Sequence, residues 1–539
     1  MKGVVKVVKK AKIQLYDTTL RDGAQRAGIS FSVEDKLKIA RRLDDIGIHF
    51  IEGGWPGSNP KDVEFFARAK NLKLKHAKLV AFGSTRRAGI KAEKDPNLRA
   101  ILESGMKFAT LVGKSWDLHV TDVLETTLKE NLKMIADSVR YLKSKGMTVF
   151  FDAEHFFDGY KSNREYALRT IEAAAEAGAD CIVLCDTNGG ALPDEVSEAV
   201  KAAQKFGVPL GIHAHNDGEL AVANSLAAVQ AGATQVQGTI NGYGERCGNA
   251  NICSIIPALK IKMGIDCISD KNLAKLTELS RYVSELANIS PDPYLPYVGI
   301  SAFTHKAGLH VSGMMKQSES YQHINPDLVG NRSEVLVSEL SGISNITYKA
   351  KELGFDIPRG EKARAVLERI KSLEKLGFQY ENAEASFELL IRRTLPDYKP
   401  PFELVDFMVV VEKLRRLSTV EEAEDLLSEA MVKVRVGGQM IHTAAEGNGP
   451  VNALDAALRK ALLQFYPSLA VIKLMDYKVR ILEESDGTKS KVRVLMESSD
   501  GEHEWRTVGS STNIMEASYI ALADSLEYWL LRWGSPSKK

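Results

Sequence analysis

The stretch DTTLRDGAQ at residues 17–25 follows a short apolar run and precedes a helical pattern at residues 33–46. Read as strand, loop and helix, this order puts Arg21 and Asp22 just beyond the carboxyl end of a strand, which is where parallel β/α barrels carry their functional groups. The other interpretation is a hydrophilic loop whose Arg-Asp pair is a surface ion pair, worth only about 0–1 kcal/mol. The local sequence leaves both interpretations open, so the rest of the chain must decide between them.

Short apolar runs alternate with helical patterns through the first half of the chain, which is typical of a parallel sheet. Most of the helical patterns are followed by a glycine that can end a helix. No GxGxxG motif follows the first run, which disfavours a dinucleotide-binding fold. The pattern therefore predicts an α/β fold, a (β/α)8 TIM barrel over residues 10–280. The apolar runs are residues 13–16, 49–52, 77–82, 108–112, 148–152, 181–184, 210–213 and 234–239.

Two further regions follow the predicted barrel. Residues 281–399 contain a proline-rich break and then mainly helical patterns, which indicates linker subdomains. Pro400 and Pro401 mark the next boundary, and the sequence beyond them predicts an α+β domain over residues 400–534. Its strand patterns are residues 402–413, 431–437, 439–445, 469–484, 491–498 and 502–510, and its helical patterns are residues 451–465 and 514–531.

The composition excludes several classes of protein. There are 71 Lys and Arg and 70 Asp and Glu residues among 539, so no overall charge attracts nucleic acid or an anionic membrane. The first residues lack the apolar segment of a signal peptide, and no apolar run is long enough to span a bilayer. The five cysteines form no CxxC pair, which favours a reducing compartment. We therefore expect a cytoplasmic protein with neither nucleic-acid nor membrane partners.

The motif HAHND at residues 213–217 is the strongest indication of a metal site. Residues two apart in a strand point to the same side, so His213 and His215 can face one point at the end of the seventh strand. Two imidazoles and a carboxylate commonly hold a divalent cation, and Asp22 lies at the corresponding end of the first strand. The alternative is that one histidine bonds a neighbouring carbonyl while the other faces solvent. The barrel position favours the metal site.

Other loops at this end of the predicted barrel supply further polar groups. The glycines of NGYGERCGNAN at residues 241–251 let the backbone approach a ligand, and Asn249 can either cap the next helix or contact the metal. Asp152 and Glu154 share a strand face, so one of them can point into the barrel mouth as an acid or hydrogen-bond partner, while the Thr187 hydroxyl can bind a small carboxylate. In isolation each of these residues is more often found in a turn or a cap.

The predicted combination of groups fits one class of substrate. Arg21 suits a carboxylate because its planar fork can bond both oxygens. With the metal and an acid nearby, a 2-oxo acid could be chelated through its carbonyl and carboxylate. A carbon acid that adds to such a substrate needs a base, and residues 301–313 contain His305 and His310, with Tyr321 further on. The pKa of histidine lies close to neutrality, which suits a base.

The motifs DTTLRDGAQ, HAHND and NGYGERCGNAN, in this order, resemble the acetyl-CoA-dependent Claisen-condensing enzymes, a family that includes isopropylmalate, homocitrate and citramalate synthases. The resemblance covers nearly the whole chain, because the C-terminal domain resembles the regulatory dimerisation domain of that family. Within the family, GGWPGSNPKD and FDAEHFFDGY are most similar to the long-form citramalate synthases.

The resemblance implies a divalent metal ion, Zn²⁺, Mn²⁺ or Mg²⁺, as cofactor. Its ligands would be Asp22, His213 and His215, with Asn249 completing or supporting the site. Asp152 occupies a position that lines the side-chain pocket in relatives, and the resemblance assigns no physical role to an acid there.

The resemblance also implies the roles of the substrate-facing groups. Arg21 and Thr187 would contact the carboxylate of the oxo acid, and Glu154 would be the catalytic glutamate. The base would be His310, which a small-residue context precedes as in relatives, with Tyr321 beside it. His305 is near enough to remain an alternative.

The implied reaction joins acetyl-CoA, pyruvate and water to give (R)-citramalate and CoA, for isoleucine biosynthesis that does not use threonine. A homodimer is expected, with isoleucine as a feedback inhibitor bound to the C-terminal domain. One alternative is 2-isopropylmalate or homocitrate synthase, which would use a larger 2-oxo acid. The others are a related acyl-CoA lyase and an amino-acid sensor that has lost activity.

Overall fold

Two compact units make up the chain. The structure is a computed structural model that describes residues 12–338, 341–357, 360–412, 427–482 and 490–534. One unit comprises Met1–Phe303 and His323–Ser333, and the other comprises Thr304–Gln322 and Glu334–Lys539. No helix within the described ranges is both long enough and apolar enough to cross a bilayer. The domain boundaries drawn from the sequence at residues 280 and 399 stay predictions.

Eight parallel strands form a closed barrel in the first unit, which confirms the predicted fold class. The first strand pairs with the eighth from Gln14 opposite Gln235 to Asp17 opposite Gly238, and this pairing closes the barrel. Every predicted strand is present, and its bounds differ from the prediction by no more than two residues. The strands are β1 (Gln14–Asp17), β2 (Phe50–Gly54), β3 (Lys78–Ser84), β4 (Phe108–Lys114), β5 (Thr148–Glu154), β6 (Cys181–Asp186), β7 (Leu210–Ala214) and β8 (Gln235–Gly238).

Helices follow the strands, and the first of them shows how local sequence sets their ends. Ser32 and Asp35 form a capping box at the start of this helix, and Gly47 ends it at a φ of 91°, where a Cβ atom would be strained. The helices of this unit are α1 (Val33–Ile46), α2 (Pro60–Ala69), α3 (Pro96–Glu103), α4 (Leu128–Ser144), α5 (Phe156–Ser162), α6 (Arg164–Glu176), α7 (Pro193–Ala203), α8 (Ala221–Ala231), α9 (Ile252–Pro257), α10 (Asp270–Leu273) and α11 (Leu276–Leu286).

Aromatic side chains fill the centre of the barrel. Tyr16, Phe50 and Phe150 are buried there and belong to one apolar cluster. The rings of Phe50 and Phe150 meet edge to face with centroids 5.0 Å apart, which is a favourable aromatic geometry. Because this interior is packed, the space available for a ligand lies at the carboxyl ends of the strands.

The second unit begins with short elements and continues with two sheets that repeat one arrangement. The strands Phe402–Glu412, Leu427–Val436 and Gln439–Gly447 form an antiparallel sheet on which the helix Pro450–Leu462 packs. The strands Lys473–Ile481, Val492–Ser499 and Glu504–Ser511 form another, on which the helix Ile514–Arg532 packs. The elements are β9 (Thr304–His305), α12 (Gly308–Lys316), β10 (Glu334–Val335), α13 (Ile343–Glu352), α14 (Glu361–Lys375), α15 (Glu384–Arg392), β11 (Phe402–Glu412), β12 (Leu427–Val436), β13 (Gln439–Gly447), α16 (Pro450–Leu462), β14 (Lys473–Ile481), β15 (Val492–Ser499), β16 (Glu504–Ser511) and α17 (Ile514–Arg532).

The predicted α+β domain is present, and its strands begin within two residues of the prediction except for β12, which begins four residues earlier, and β14, which begins four residues later. The pattern at residues 469–484 predicted a single long strand, but Pro467–Val471 forms a 3₁₀ turn and the strand starts at Lys473. Proline fixes φ near −65°, which suits the first position of such a turn. The last two residues of that predicted strand, like the last residue of the pattern at 402–413, lie outside the described residues.

Candidate active site

Three side chains converge at the carboxyl end of the barrel. Nε2 of His213 lies 3.2 Å from Oδ2 of Asp22, and Nε2 of His215 lies 4.0 Å from the same oxygen. The two Nε2 atoms are 3.3 Å apart. All three residues are buried, so the alternative that one histidine faces solvent is wrong. One carboxylate and two imidazoles with their ligand atoms this close form a donor set suited to a divalent cation.

A tight turn after β1 places Asp22 beside the two histidines. The carboxylate of Asp17 accepts hydrogen bonds from both the backbone N–H and the hydroxyl of Thr19. The carbonyl of Thr18 then accepts the backbone N–H groups of Asp22 and Gly23, at 2.9 and 3.0 Å. The Thr19 hydroxyl also accepts the backbone N–H of Ile240, so the turn is tied to the loop after β8. The position of Asp22 is thus set by the closure of the barrel.

Burial and mutual charge set the protonation of the three side chains. Burial raises the pKa of Asp22, but Arg21 and the hydrogen bond from His213 outweigh it and hold that pKa well below its usual range. Burial lowers the pKa of His213, whereas the bond to Asp22 and its charge raise it overall. Burial and the charge of His213 lower the pKa of His215 to about 4. The site therefore offers an ionised oxygen and a neutral imidazole at neutral pH.

The side chain of Asn249 is buried and makes no hydrogen bond to the described residues, which bears on whether a cation fits beside this cluster. Asn249 is 2% exposed, and within the described chain neither atom of its amide has a hydrogen-bond partner. A buried polar group without a partner costs about 1–3 kcal/mol, so a bare amide oxygen here indicates a place for a ligand. Asn251 caps α9 instead, accepting the backbone N–H of Cys253. The alternative that Asn249 is the helix cap is therefore wrong, and its predicted metal contact stays a prediction.

The glycine-rich loop after β8 holds Asn249 in place. A backbone bridge pairs Asn249 with His215. Gly248 has a φ of +94°, and a Cβ atom there would lie 2.0 Å from the carbonyl oxygen of Gly242, so only glycine allows this close approach. Arg246 fastens the loop from outside by donating two hydrogen bonds to the Asp217 carboxylate, at 2.8 and 2.9 Å.

Arg21 is held by a buried carboxylate that the sequence analysis did not select. Its Nε donates to Oε1 of Glu52 at 2.6 Å, and its guanidinium lies 4.0 Å from the centre of the Phe82 ring. Glu52 is fully buried and accepts a second hydrogen bond, from the hydroxyl of Tyr16. The pKa of Arg21 is raised, because the charges of Glu52 and Asp22 outweigh its burial. The interpretation of Arg21 and Asp22 as a surface ion pair is therefore wrong.

The other predicted substrate contacts line one cavity with Arg21. This cavity has a volume of about 610 Å³ and includes Asp22, Glu154, Thr187 and both histidines of the trio. Oε2 of Glu154 lies 2.5 Å from Nζ of Lys114, the last residue of the neighbouring strand. The hydroxyl oxygen of Thr187 accepts the backbone N–H of His155 at 2.8 Å, which leaves its proton available to an acceptor in the cavity.

The candidate base and its tyrosine lie in the second unit. His310 is in the first turn of α12, and its ring stacks on that of Tyr321 with centroids 4.5 Å apart. Both side chains are exposed. His305 lies in β9, where burial and the charge of His310 lower its pKa. The structure brings His310 and Tyr321 together, and their predicted roles stay predictions.

Three family models match consecutive parts of the chain. A model described as HMGL-like matches residues 12–283, which is the region of the barrel. A model described as homocitrate synthase post-HMGL domain-like matches residues 297–377. A model described as the LeuA allosteric (dimerisation) domain matches residues 381–530.

Proteins of known name match over almost the full length. (R)-Citramalate synthase of Geobacter sulfurreducens is 56% identical over 520 residues, which is 96% of this chain and 97% of that protein. The enzyme of the same name from Aquifex aeolicus is 55% identical over 526 residues, covering 97% and 98%. A probable 2-isopropylmalate synthase of Methanopyrus kandleri is 32% identical over 494 residues, covering 91% and 93%.

The chain belongs to the citramalate synthase family. The predicted family is thereby confirmed, and the chain is an enzyme of the acyltransferase type. In this citramalate synthase family member, the buried cluster of Asp22, His213 and His215 lies within residues 12–283, which the HMGL-like model matches.

Three residues that bind predicted site residues of this family member were not found from the sequence. They are Glu52, Lys114 and Gln237, which contact Arg21, Glu154 and His213. Glu52 was visible as a charged residue ending an otherwise apolar strand pattern. Lys114 was missed because the predicted fourth strand stopped at residue 112, where the apolar run ends, although the strand continues for two residues. Gln237 accepts a hydrogen bond from His213, and its only signal was a second glutamine, Gln235, on the same face of the strand.

We predict that Asp22→Asn weakens divalent-metal binding by at least about tenfold, because the variant loses the only anionic donor of the trio. Binding of Mn²⁺ and Zn²⁺ to the metal-stripped protein, measured by competition with a chromophoric chelator, checks this. Asp270→Asn is the control, since that side chain is 90% exposed beside Lys260 and should leave the affinity unchanged. Equal affinities for the wild type and Asp22→Asn would contradict the site.

Proposed function

We propose that this chain is an (R)-citramalate synthase, which condenses acetyl-CoA with pyruvate and water to give (R)-citramalate and CoA. The observation that carries the proposal is the convergence of Arg21 with Asp22, His213 and His215 on one cavity. Near-full-length identity of 56% and 55% to enzymes of that name supports it, against 32% to a probable 2-isopropylmalate synthase. A sister synthase acting on a larger oxo acid is therefore disfavoured.

Arg21 and Thr187 would bind the carboxylate of pyruvate. Arg21 donates Nε to Glu52, and its Nη2 lies 3.6 Å from Oδ2 of Asp22. Among the described residues neither Nη atom donates a hydrogen bond, so both can donate to a substrate. The Thr187 hydroxyl can donate to the same carboxylate, because its oxygen already accepts the His155 N–H. These contacts would orient the ketone carbonyl toward the trio of metal-binding side chains.

Asp22, His213 and His215 would hold a divalent cation, with Asn249 as a further oxygen donor. Such a cation acts as a Lewis acid on a carbonyl oxygen and makes its carbon more electrophilic. Glu154 in its protonated form would donate a hydrogen bond to the oxygen on which negative charge develops during the addition, and Lys114 beside it would supply a positive charge. The proposed ion is Zn²⁺, Mn²⁺ or Mg²⁺.

His310 would remove a proton from the methyl group of acetyl-CoA. A histidine has the proton affinity that this step needs near neutral pH, and Tyr321 stacks on its ring. The resulting enolate carbon attacks the carbonyl carbon of pyruvate, and water then cleaves the thioester to release CoA. Because thioester hydrolysis is strongly downhill, the condensation would run in one direction.

We further propose that the enzyme is a homodimer that isoleucine inhibits through its C-terminal domain. The match to a domain described as allosteric and dimerising supports this. Apolar side chains on the two sheets are exposed, for example Val411 in β11 and Met475 and Ile481 in β14, which are 52%, 60% and 58% exposed. Exposed apolar side chains of this kind favour association with a second copy. The five free cysteines favour a reducing, cytoplasmic location.

We predict that the protein releases CoA thiol from acetyl-CoA faster with pyruvate than with 2-oxoisovalerate or 2-oxoglutarate. Chelation of divalent metal should abolish the release, and the added ion should restore it. A thiol reagent follows the rate, and chromatography identifies the product. A preference for a longer oxo acid would indicate a sister synthase instead. No release with any acceptor would favour the lyase or the sensor.

We predict that His310→Gln lowers kcat by about 10²–10⁴, because the carbon acid loses its base. Metal affinity should not change, since His310 is not a ligand. His305→Gln is the matched control, five residues away, and should retain most of the activity. The assignment fails if His305→Gln loses the activity while His310→Gln keeps it.

We predict that isoleucine slows amide hydrogen exchange in the C-terminal domain of the full-length protein. Protection should fall within Phe402–Glu412, Leu427–Val436 and later elements, because a bound effector reduces local opening. Mass spectrometry of peptides with and without isoleucine checks this, and threonine is the control amino acid. Protection confined to the barrel would show competition at the active site and contradict the proposed regulation.

A further inference from the structure

A chain of hydrogen bonds leads from Asp152 to the candidate metal site. Oδ1 of Asp152, in β5, accepts the side-chain N–H of Gln237 at 3.2 Å. Oε1 of Gln237, in β8, lies 3.0 Å from Nδ1 of His213. Gln237 is fully buried and Asp152 is 4% exposed. Asp152 is also the acid for which the sequence analysis found no role.

The Asp152 carboxylate determines which way the Gln237 amide points. Oδ1 of Asp152 accepts the Gln237 N–H, so the NH₂ end of the amide faces the carboxyl group and the carbonyl end faces the histidine. The other acceptor at this NH₂ group is Oε1 of Gln235, at a longer 3.4 Å. Without the acid, the two ends of a glutamine amide are nearly equivalent in shape and the side chain can turn over. Asp152 is therefore the main electrostatic constraint on the amide.

The orientation of the amide in turn selects the state of His213. A carbonyl oxygen facing Nδ1 requires a proton on Nδ1. When a cation replaces the Nε2 proton that His213 donates to Asp22 in this structure, the neutral ring therefore has its lone pair on Nε2. If the amide turned over, its NH₂ group would donate to Nδ1. The lone pair would then be on Nδ1, with the proton on Nε2 directed at the cation. His215 has no such partner, since its Nδ1 bonds to nothing in the described structure.

We propose that Asp152 is a positioning residue that acts through Gln237 to keep Nε2 of His213 free for the metal ion. This inference rests on the proposed metal site, and it adds Asp152 as a residue that orients one of the metal ligands. No hydrogen bond or ion pair in the described structure joins Asp152 directly to Asp22, His213 or His215, and its hydrogen bond goes to Gln237. We call the hydrogen-bonded chain from Asp152 through Gln237 to His213 the relay, and it works only when all three residues are present. Removing Asp152 should matter only while Gln237 is present.

The test measures the affinity of the metal-stripped, full-length protein for Zn²⁺ alone, by competition with a chromophoric chelator. Asp152→Leu and Gln237→Leu should each weaken binding by about tenfold, the lower end of the range for residues that orient a metal ligand. The double variant should bind no more weakly than Gln237→Leu, because the two act in series. Asp152→Asn should bind like the wild type, since its amide oxygen can still accept the Gln237 N–H.

Control variants separate the relay from charge and from packing. Asp152→Asn removes the negative charge but keeps the acceptor, so an equal loss in Asp152→Asn and Asp152→Leu would mean a through-space charge effect and would overturn the relay. Gln235→Leu changes the neighbouring buried glutamine of the same strand and should stay within about twofold of the wild type. A loss there as large as in Asp152→Leu would indicate general disturbance of β8 and would also overturn the proposal, as would additive losses in the double variant.

Zn²⁺ binding by the wild type separates a failure of the metal site from a failure of the relay. If the wild type binds Zn²⁺ and Asp22→Asn does not, the metal site holds, and unchanged binding in Asp152→Leu then refutes the relay alone. If the wild type itself does not bind, the metal site fails and the relay fails with it. Circular dichroism and the melting temperature of each variant show that any change in affinity is measured on folded protein.

Discussion

Pairing of β1 with β8 is the constraint on which the site depends. Those strands are far apart in the chain, and their parallel register from Gln14 to Asp17 brings the turn that carries Asp22 beside the loops that follow β7 and β8. The hydrogen bond from the Ile240 N–H to the Thr19 hydroxyl joins the turn to the loop after β8 at this seam. Closure therefore creates the contact between Asp22 and the two histidines.

The buried charges at this end are stable only because each has a partner. Glu52 is fully buried and accepts hydrogen bonds from both Arg21 and Tyr16. Removing one member of a buried ion pair typically costs about 3–5 kcal/mol, because the other charge is left uncompensated. The partnership also leaves one edge of the Arg21 guanidinium facing the cavity. The same carboxylate thus stabilises the barrel and orients a group that can bind substrate.

Parts of the site could be predicted from the sequence because they follow from local spacing. The HAHND motif has two histidines two apart at a strand end, and strand periodicity alone puts them on one face. The first strand and its turn were recognised in the same way, so Asp22 was assigned before any contact was known. Glu52, Lys114 and Gln237 could not be found like this, because each is defined by a partner on another strand: Arg21, Glu154 and His213. The sequence allows two roles for Asn249, and the tertiary structure excludes one of them because Asn251 caps α9.

The sequence by itself determined the fold class, the strand order and the identity of the residues at the mouth of the barrel, since apolar periodicity and turn chemistry act over a few residues. Tertiary structure decided which of those residues meet, because distances across a closed barrel depend on register and on the packing of the aromatic core. It also shifted their pKa values. Burial and the charge of His213 lower the pKa of His215, whereas Arg21 and His213 lower that of Asp22 against the effect of burial, and these groups meet only in the folded chain.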